Sequence, residues 1–173
     1  MVGDMADVRK PRPVRRSELR FCLLFALLSV ALFVLLYTVH DLIVVPINRH
    51  IAWLAGVALR ALGAAAVTTG PVIAAKGFAV EIKNNCNAVF EFGLYTAAVC
   101  AYPTSPAAKA TGLLAGAGVI YTLNMLRVVS LVALGVFARD WFEIGHLYAW
   151  QILFFAAVVA CWFTWIARVR PSP

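Results

Sequence analysis

The sequence has little charge. Lys, Arg, Asp and Glu make up 13% of its 173 residues and apolar residues 63%, whereas soluble domains carry roughly 25% charged residues. So much apolar surface cannot be buried inside so small a chain. This excludes an ordinary soluble domain and makes the bilayer part of the protein's solvent. Acidic residues are the scarcer sign, eight against fifteen basic ones, for a net charge of +7. A basic balance of that size suggests nucleic acid, but no basic stripe follows one helix and no nucleic-acid motif is present. The basic residues cluster instead near the ends: Arg9, Lys10, Arg12, Arg15, Arg16 and Arg20, then Arg168 and Arg170. Lys and Arg enriched in this way mark cytoplasmic flanks of membrane helices.

Cysteine is sparse too. The four, Cys22, Cys86, Cys100 and Cys161, form no C-x-x-C pair, which excludes a zinc ribbon and a thioredoxin-like redox site. No metal or other cofactor is expected. No small-residue cleavage site follows the first apolar run, so that run reads as an uncleaved anchor rather than a signal peptide.

What is present is a series of apolar segments. The first span is predicted over residues 21–40, and 41–49 is a break around Pro46. Residues 51–63 read as a helix at the outer interface, because a central Arg60 would cost about 2.5–3.5 kcal/mol inside a span. A five-span arrangement with 51–70 crossing counts almost as well by charge. Residues 67–83, punctuated by Gly70, Pro71 and Gly77 and rich in β-formers, predict a short extended pair or hairpin outside the hydrocarbon. Further spans are predicted over 86–102, 111–137 and 146–167. The expected fold is an all-α integral membrane protein with about four transmembrane helices, an interfacial helix and a short hairpin on the outer face. Its parts are a cytoplasmic basic tail, 1–20, and a single membrane-embedded domain, 21–170. Both termini lie in the cytoplasm, and the membrane is the inner one.

That topology makes a statement about depth. Cys86 opens the second span and His146 the fourth, both at the outer end. Arg127 lies about 25 Å along the third span from Lys109, at 1.5 Å per residue, and so in the outer leaflet of a core about 30 Å thick. Cys100 is about 21 Å below Cys86 on the same helix, too far for a disulfide; Cys86 is left as an unpaired outer thiol. A thiol, a guanidinium and an imidazole therefore share one level. These are the groups needed for a thiolate attack on an amide carbonyl, with a cation to lower the thiol pKa and hold the oxyanion and a His to move the protons. Asn124, on the same helix face as Arg127, could orient the guanidinium. Asn84, Asn85 and Asn87 crowd the thiol and offer amide donors, or simply cap the second span. The residues alone leave another reading open, in which Arg127 pairs structurally with Glu91 and Cys86 is a packed apolar residue of a non-catalytic membrane subunit for surface polysaccharide or protein export.

Three segments narrow the choice. Gly77-Phe78-Ala79-Val80-Glu81-Ile82-Lys83-Asn84-Asn85-Cys86-Asn87-Ala88 resembles the stretch that carries the catalytic Cys of exosortases and archaeosortases. Asn124-Met125-Leu126-Arg127-Val128-Val129 resembles their N-x-x-R-hydrophobic motif, and His146-Leu147-Tyr148-Ala149-Trp150-Gln151 resembles the third motif, where a His opens a late helix. The resemblance covers about residues 50–167 and is greatest to the compact exosortase H branch. It implies a thiol protease and transpeptidase of protein sorting, with Cys86, Arg127 and His146 as the catalytic residues. It further implies that the partners are exported proteins with a C-terminal hydrophobic sorting signal, transferred to a surface glycan or lipid acceptor. Ala88 stands where many relatives have Gly, and the expectation is that it narrows the approach of the substrate backbone.

Overall fold

In a computed structural model, residues 16–84 and 86–169 are described. The basic residues before Arg16, together with Asn85 and Arg170, lie outside them. The architecture is mainly helical, with a small sheet. Helix α1 spans Arg16–Thr38 and α2 His40–Ala61. Strands β1 (Ala66–Thr69), β2 (Val72–Ala75) and β3 (Phe78–Glu81) follow, then α3 (Val89–Ala101) and α4 (Pro106–Phe137). The chain then turns through a 3-10 segment, Arg139–Trp141, a single helical turn, α5 (Phe142–Ile144), and a π-helical turn, Gly145–Ala149, into α6 (Trp150–Ile166).

Among the described residues, four helical segments are long and apolar enough to cross a membrane: Arg16–Thr38, His40–Ala61, Pro106–Phe137 and Arg139–Ile166. This agrees with the expected class, but the segments are divided differently. The expected break at 41–49 is helical. Pro46 sits inside α2, where it forfeits one helical hydrogen bond, a loss that membrane helices tolerate when neighbouring groups compensate. The expected interfacial piece at 51–63 is therefore the second half of a 22-residue helix. Arg60 falls in its last turn, not mid-span, and its Nη1 donates to the Ala66 carbonyl at 3.1 Å. The expected span at 86–102 is a helix of 13 residues that begins at Val89, about 20 Å long at 1.5 Å per residue.

The expected hairpin is a three-stranded antiparallel meander in the order β1-β2-β3. Ile73 faces Val80, and Ala75 faces Phe78. Alternation sends Ala66, Ile73, Ala75 and Ile82 into a core shared with Ile51 and Ala55 of α2 and Val128 and Val132 of α4. Gly135 of α4 lies against the Phe78 ring, which occupies the space a Cβ there would need. Lys76 lies over the Phe137 ring at 5.2 Å and Arg139 over Phe78 at 5.6 Å. These contacts fix the sheet on the C-terminal end of α4.

A second core forms where α3, α4 and α6 meet, around Tyr95, Ile120, Phe154 and Trp165. Helix α3 runs antiparallel to α1. Phe90 meets Phe33 at one end with ring centroids 5.3 Å apart, and Tyr102 meets Phe21 at the other at 6.4 Å.

Candidate active site

Cys86 is not on a helix. It lies in the turn between β3 and α3, where its N–H donates to the Lys83 carbonyl at 2.8 Å. The turn is fastened to α2 on both sides of the thiol. Upstream, Nε2 of His40 and Oδ1 of Asn84 are 3.1 Å apart. Downstream, Nδ2 of Asn87 donates to Oδ1 of Asn48 at 2.7 Å, and Oδ1 of Asn87 accepts from the Val89 N–H at 3.0 Å. Asn87 thus caps α3 and anchors the turn, and its amide is committed to Asn48. Ala88 adopts the left-handed conformation at φ 59°, ψ 12°. Glycine enters that region freely while an L side chain resists it. The physical reason for Gly at this position is therefore local backbone geometry, in addition to any room it leaves for a substrate.

His146 reaches the same place from the far end of the chain. It sits in the π-helical turn Gly145–Ala149, a rare geometry that is frequent at functional sites. Its ring stacks on Phe142 at 5.7 Å, and its Nε2 lies 3.1 Å from the Cys86 Sγ. Arg127 projects from α4 and is buried, 1% exposed. Its Nη2 donates to Oε1 of Gln151 at 3.5 Å, and its guanidinium carbon is 5.8 Å from the centre of the Phe154 ring. Its Nε and Nη1 are buried with no partner.

Cys86, Arg127 and His146 line one cavity of about 270 Å³, with Val128, Leu131 and Phe142 as its apolar wall. Burial pushes the Cys86 thiol above its ordinary pKa; the Arg127 charge and the Lys83 backbone contact pull it down, and the Glu91 charge pushes it up. The thiol and the imidazole are within hydrogen-bonding distance of each other.

The supporting residues fall differently. Glu91 does not meet Arg127; it borders another, apolar cavity with Phe25, Leu94 and Trp162, where its Oε2 has no partner. Asn124 is buried on α4 with both amide atoms unpartnered, so it does not hydrogen-bond the guanidinium it was expected to orient. Asn85 lies outside the described residues. Three contributors went unnoticed in the sequence: His40, read as the end of the first span, Asn48, hidden in a segment read as a break, and Gln151, whose spacing of five from His146 gives no periodic signal.

The sequence model of the transmembrane exosortase family (Exosortase_EpsH) matches residues 16–164. The chain belongs to the exosortase family. The match runs from the start of α1 to the last turn of α6, so every element that builds the cavity lies within the exosortase region. Comparisons with curated proteins and with solved structures returned no match.

Proposed function

We propose that this exosortase is a membrane-embedded cysteine transpeptidase. It would cut the C-terminal sorting signal from exported proteins and pass the new carboxyl end to a nucleophile on a surface glycan or lipid. The observation that carries the reading is the 3.1 Å approach of Cys86 Sγ to His146 Nε2, inside a cavity also lined by an Arg127 with two unpartnered nitrogens.

The steps follow from those groups. As Sγ attacks the scissile carbonyl carbon, a C–S bond forms and the thiol proton passes to His146. The carbonyl oxygen becomes an oxyanion, and the free N–H groups of Arg127 neutralise it where water is excluded. Collapse breaks the C–N bond; His146 returns its proton to the leaving amine, and a thioester remains on Cys86. An acceptor hydroxyl or amine then gives its proton to His146 and attacks the thioester carbonyl. The C–S bond breaks, and His146 reprotonates the departing sulfur.

In this reading the protein is multi-pass in the inner membrane, with both termini cytoplasmic and the cavity at the outer face. The Lys and Arg excess at the chain ends supports that orientation; it requires α1, α3, α4 and α6 to cross while α2 stays on the outer side, which fits the contact of Phe90 at the start of α3 with Phe33 near the C-terminal end of α1. The reading is tested by trapping a substrate thioester on Cys86: hydroxylamine should release the acyl protein from the unaltered chain, and Cys86→Ala should carry none.

A further inference from the structure

The wall of the cavity opposite α4 is unusual. It is made by Ala79, Val80, Glu81, Ile82 and Lys83 in unbroken succession, ending at Cys86. A groove across the face of a strand touches alternate residues, because side chains alternate between faces. A groove touched by every residue runs along the strand's edge. β3 is an edge strand of the sheet, and the groove follows its free side.

The direction of the backbone groups can be assigned. The Ile82 N–H donates to the Pro71 carbonyl at 2.9 Å, so Ile82 and, by the two-residue alternation of antiparallel ladders, Val80 turn their backbone groups toward β2. Those of Ala79 and Glu81 turn outward, into the groove. The opposite edge of the sheet is occupied, since Arg60 holds the outward carbonyl of Ala66 at 3.1 Å. The Phe78 ring, at the start of β3, meets the Phe142 ring at 5.0 Å, and Phe142 lines the same cavity.

We infer that the free edge of β3 is the substrate-positioning site: an extended segment of the exported protein adds to it as a fourth strand, pairs with the backbone of Ala79 and Glu81, and thereby lays its scissile carbonyl against Cys86. The inference rests on the transpeptidase reading. Strand addition binds through main-chain hydrogen bonds and leaves side-chain selection to pockets on either side of the added strand. Here one set of substrate side chains faces Val128 and Leu131, and small or apolar residues fit that wall. The other set faces outward beside Glu81 and Lys83.

The test uses Ala79→Pro and Glu81→Pro in the full chain. Each proline removes an outward N–H and puts its ring in the groove, while the ladder bonds of Val80 and Ile82 to β2 remain. The probe is the set of exported proteins whose C-terminal masses differ between cells carrying the unaltered chain and cells carrying Cys86→Ala. Both proline variants should cut their processing at least tenfold, while iodoacetamide still alkylates Cys86 at the unaltered rate. Normal processing by both prolines, with Cys86→Ala inactive, would overturn strand addition and leave the transpeptidase reading intact. An active Cys86→Ala would instead remove the reading beneath it. As a second measurement that needs no proline, a photo-crosslinking residue is placed at Ala79, Glu81 or Val67 in the Cys86→Ala chain. Accumulated substrate should crosslink at Ala79 and Glu81 and not at Val67 on β1; equal crosslinking at all three, or none at Ala79 and Glu81, would contradict the proposal.

Discussion

The Cys86 Sγ and the His146 Nε2 lie 3.1 Å apart although 60 residues separate them in the chain. Two different devices bring them together. The thiol sits on a turn stapled to α2 through Asn84 and Asn87, and the imidazole sits on a π-helical turn braced by Phe142. The arrangement sets a thiol against an imidazole at the junction of the sheet, α2 and the start of the last helical segment.

The reactivity of Cys86 should depend on pH in a way that names its neighbours. Its thiol pKa is raised by burial, lowered by Arg127 and raised by Glu91. Alkylation needs the thiolate, so below the pKa the rate climbs about tenfold per pH unit. Arg127→Leu removes the lowering charge and should move the midpoint to higher pH; Glu91→Gln removes a raising one and should move it lower. Rate-against-pH profiles with iodoacetamide check both signs.

Arg127→Lys keeps the charge and should still lose most processing, on the order of 10²-fold, the usual loss when one oxyanion donor is removed. Lys lacks the planar fork that reaches Gln151 and the cavity at once. The double variant Arg127→Leu with Glu91→Leu should not restore activity, because the two side chains line different cavities. Recovery by that pair would return Arg127 to a structural role. Processing yields of each variant, at matched expression, decide the matter.

The staple itself is testable through stability. Asn48→Ala leaves the Asn87 amide buried without its partner, which costs about 1–3 kcal/mol. It should lower the thermal midpoint in detergent and slow processing, with Cys86 alkylating faster as the turn loosens. An unchanged midpoint and alkylation rate would mean that the turn is held elsewhere.

At position 88 two terms of similar size oppose each other. Ala88→Gly relieves a left-handed backbone worth about 1–2 kcal/mol but gives up a buried methyl worth about 0.8 kcal/mol and adds chain entropy. Stability should change little and processing should be kept. Ala88→Val puts a β-branched side chain at φ 59° and should destabilise by more than about 2 kcal/mol. Thermal unfolding of the pair in detergent reads the difference.

The membrane class, the helical architecture and the family could all be read from the sequence, because apolar excess and local motifs are written residue by residue. Cys86, Arg127 and His146 were grouped by counting helical rise, and the structure places them around one cavity. What the sequence hid depended on backbone choices that composition does not fix. Pro46 suggested a break where the helix continues, and that concealed Asn48; His40, read as the end of the first span, is instead the first residue of α2. Asn87 could have faced the thiol or capped a helix; only the three-dimensional position of Asn48 decides between them. The alternative pairing of Arg127 with Glu91 assumed that equal depth means contact, but the two side chains border separate cavities.

The central claim is that Cys86 is the nucleophile, and the most direct measurement is the C-terminal mass of exported proteins in cells carrying Cys86→Ala. The substitution removes little volume from a turn held by its neighbours, so the protein should accumulate in the membrane at normal levels. Its substrates should keep their hydrophobic tails, and Cys86→Ser should behave alike because a serine hydroxyl is far harder to ionise. Substrates of normal processed mass in Cys86→Ala cells, at matched protein levels, would contradict the account.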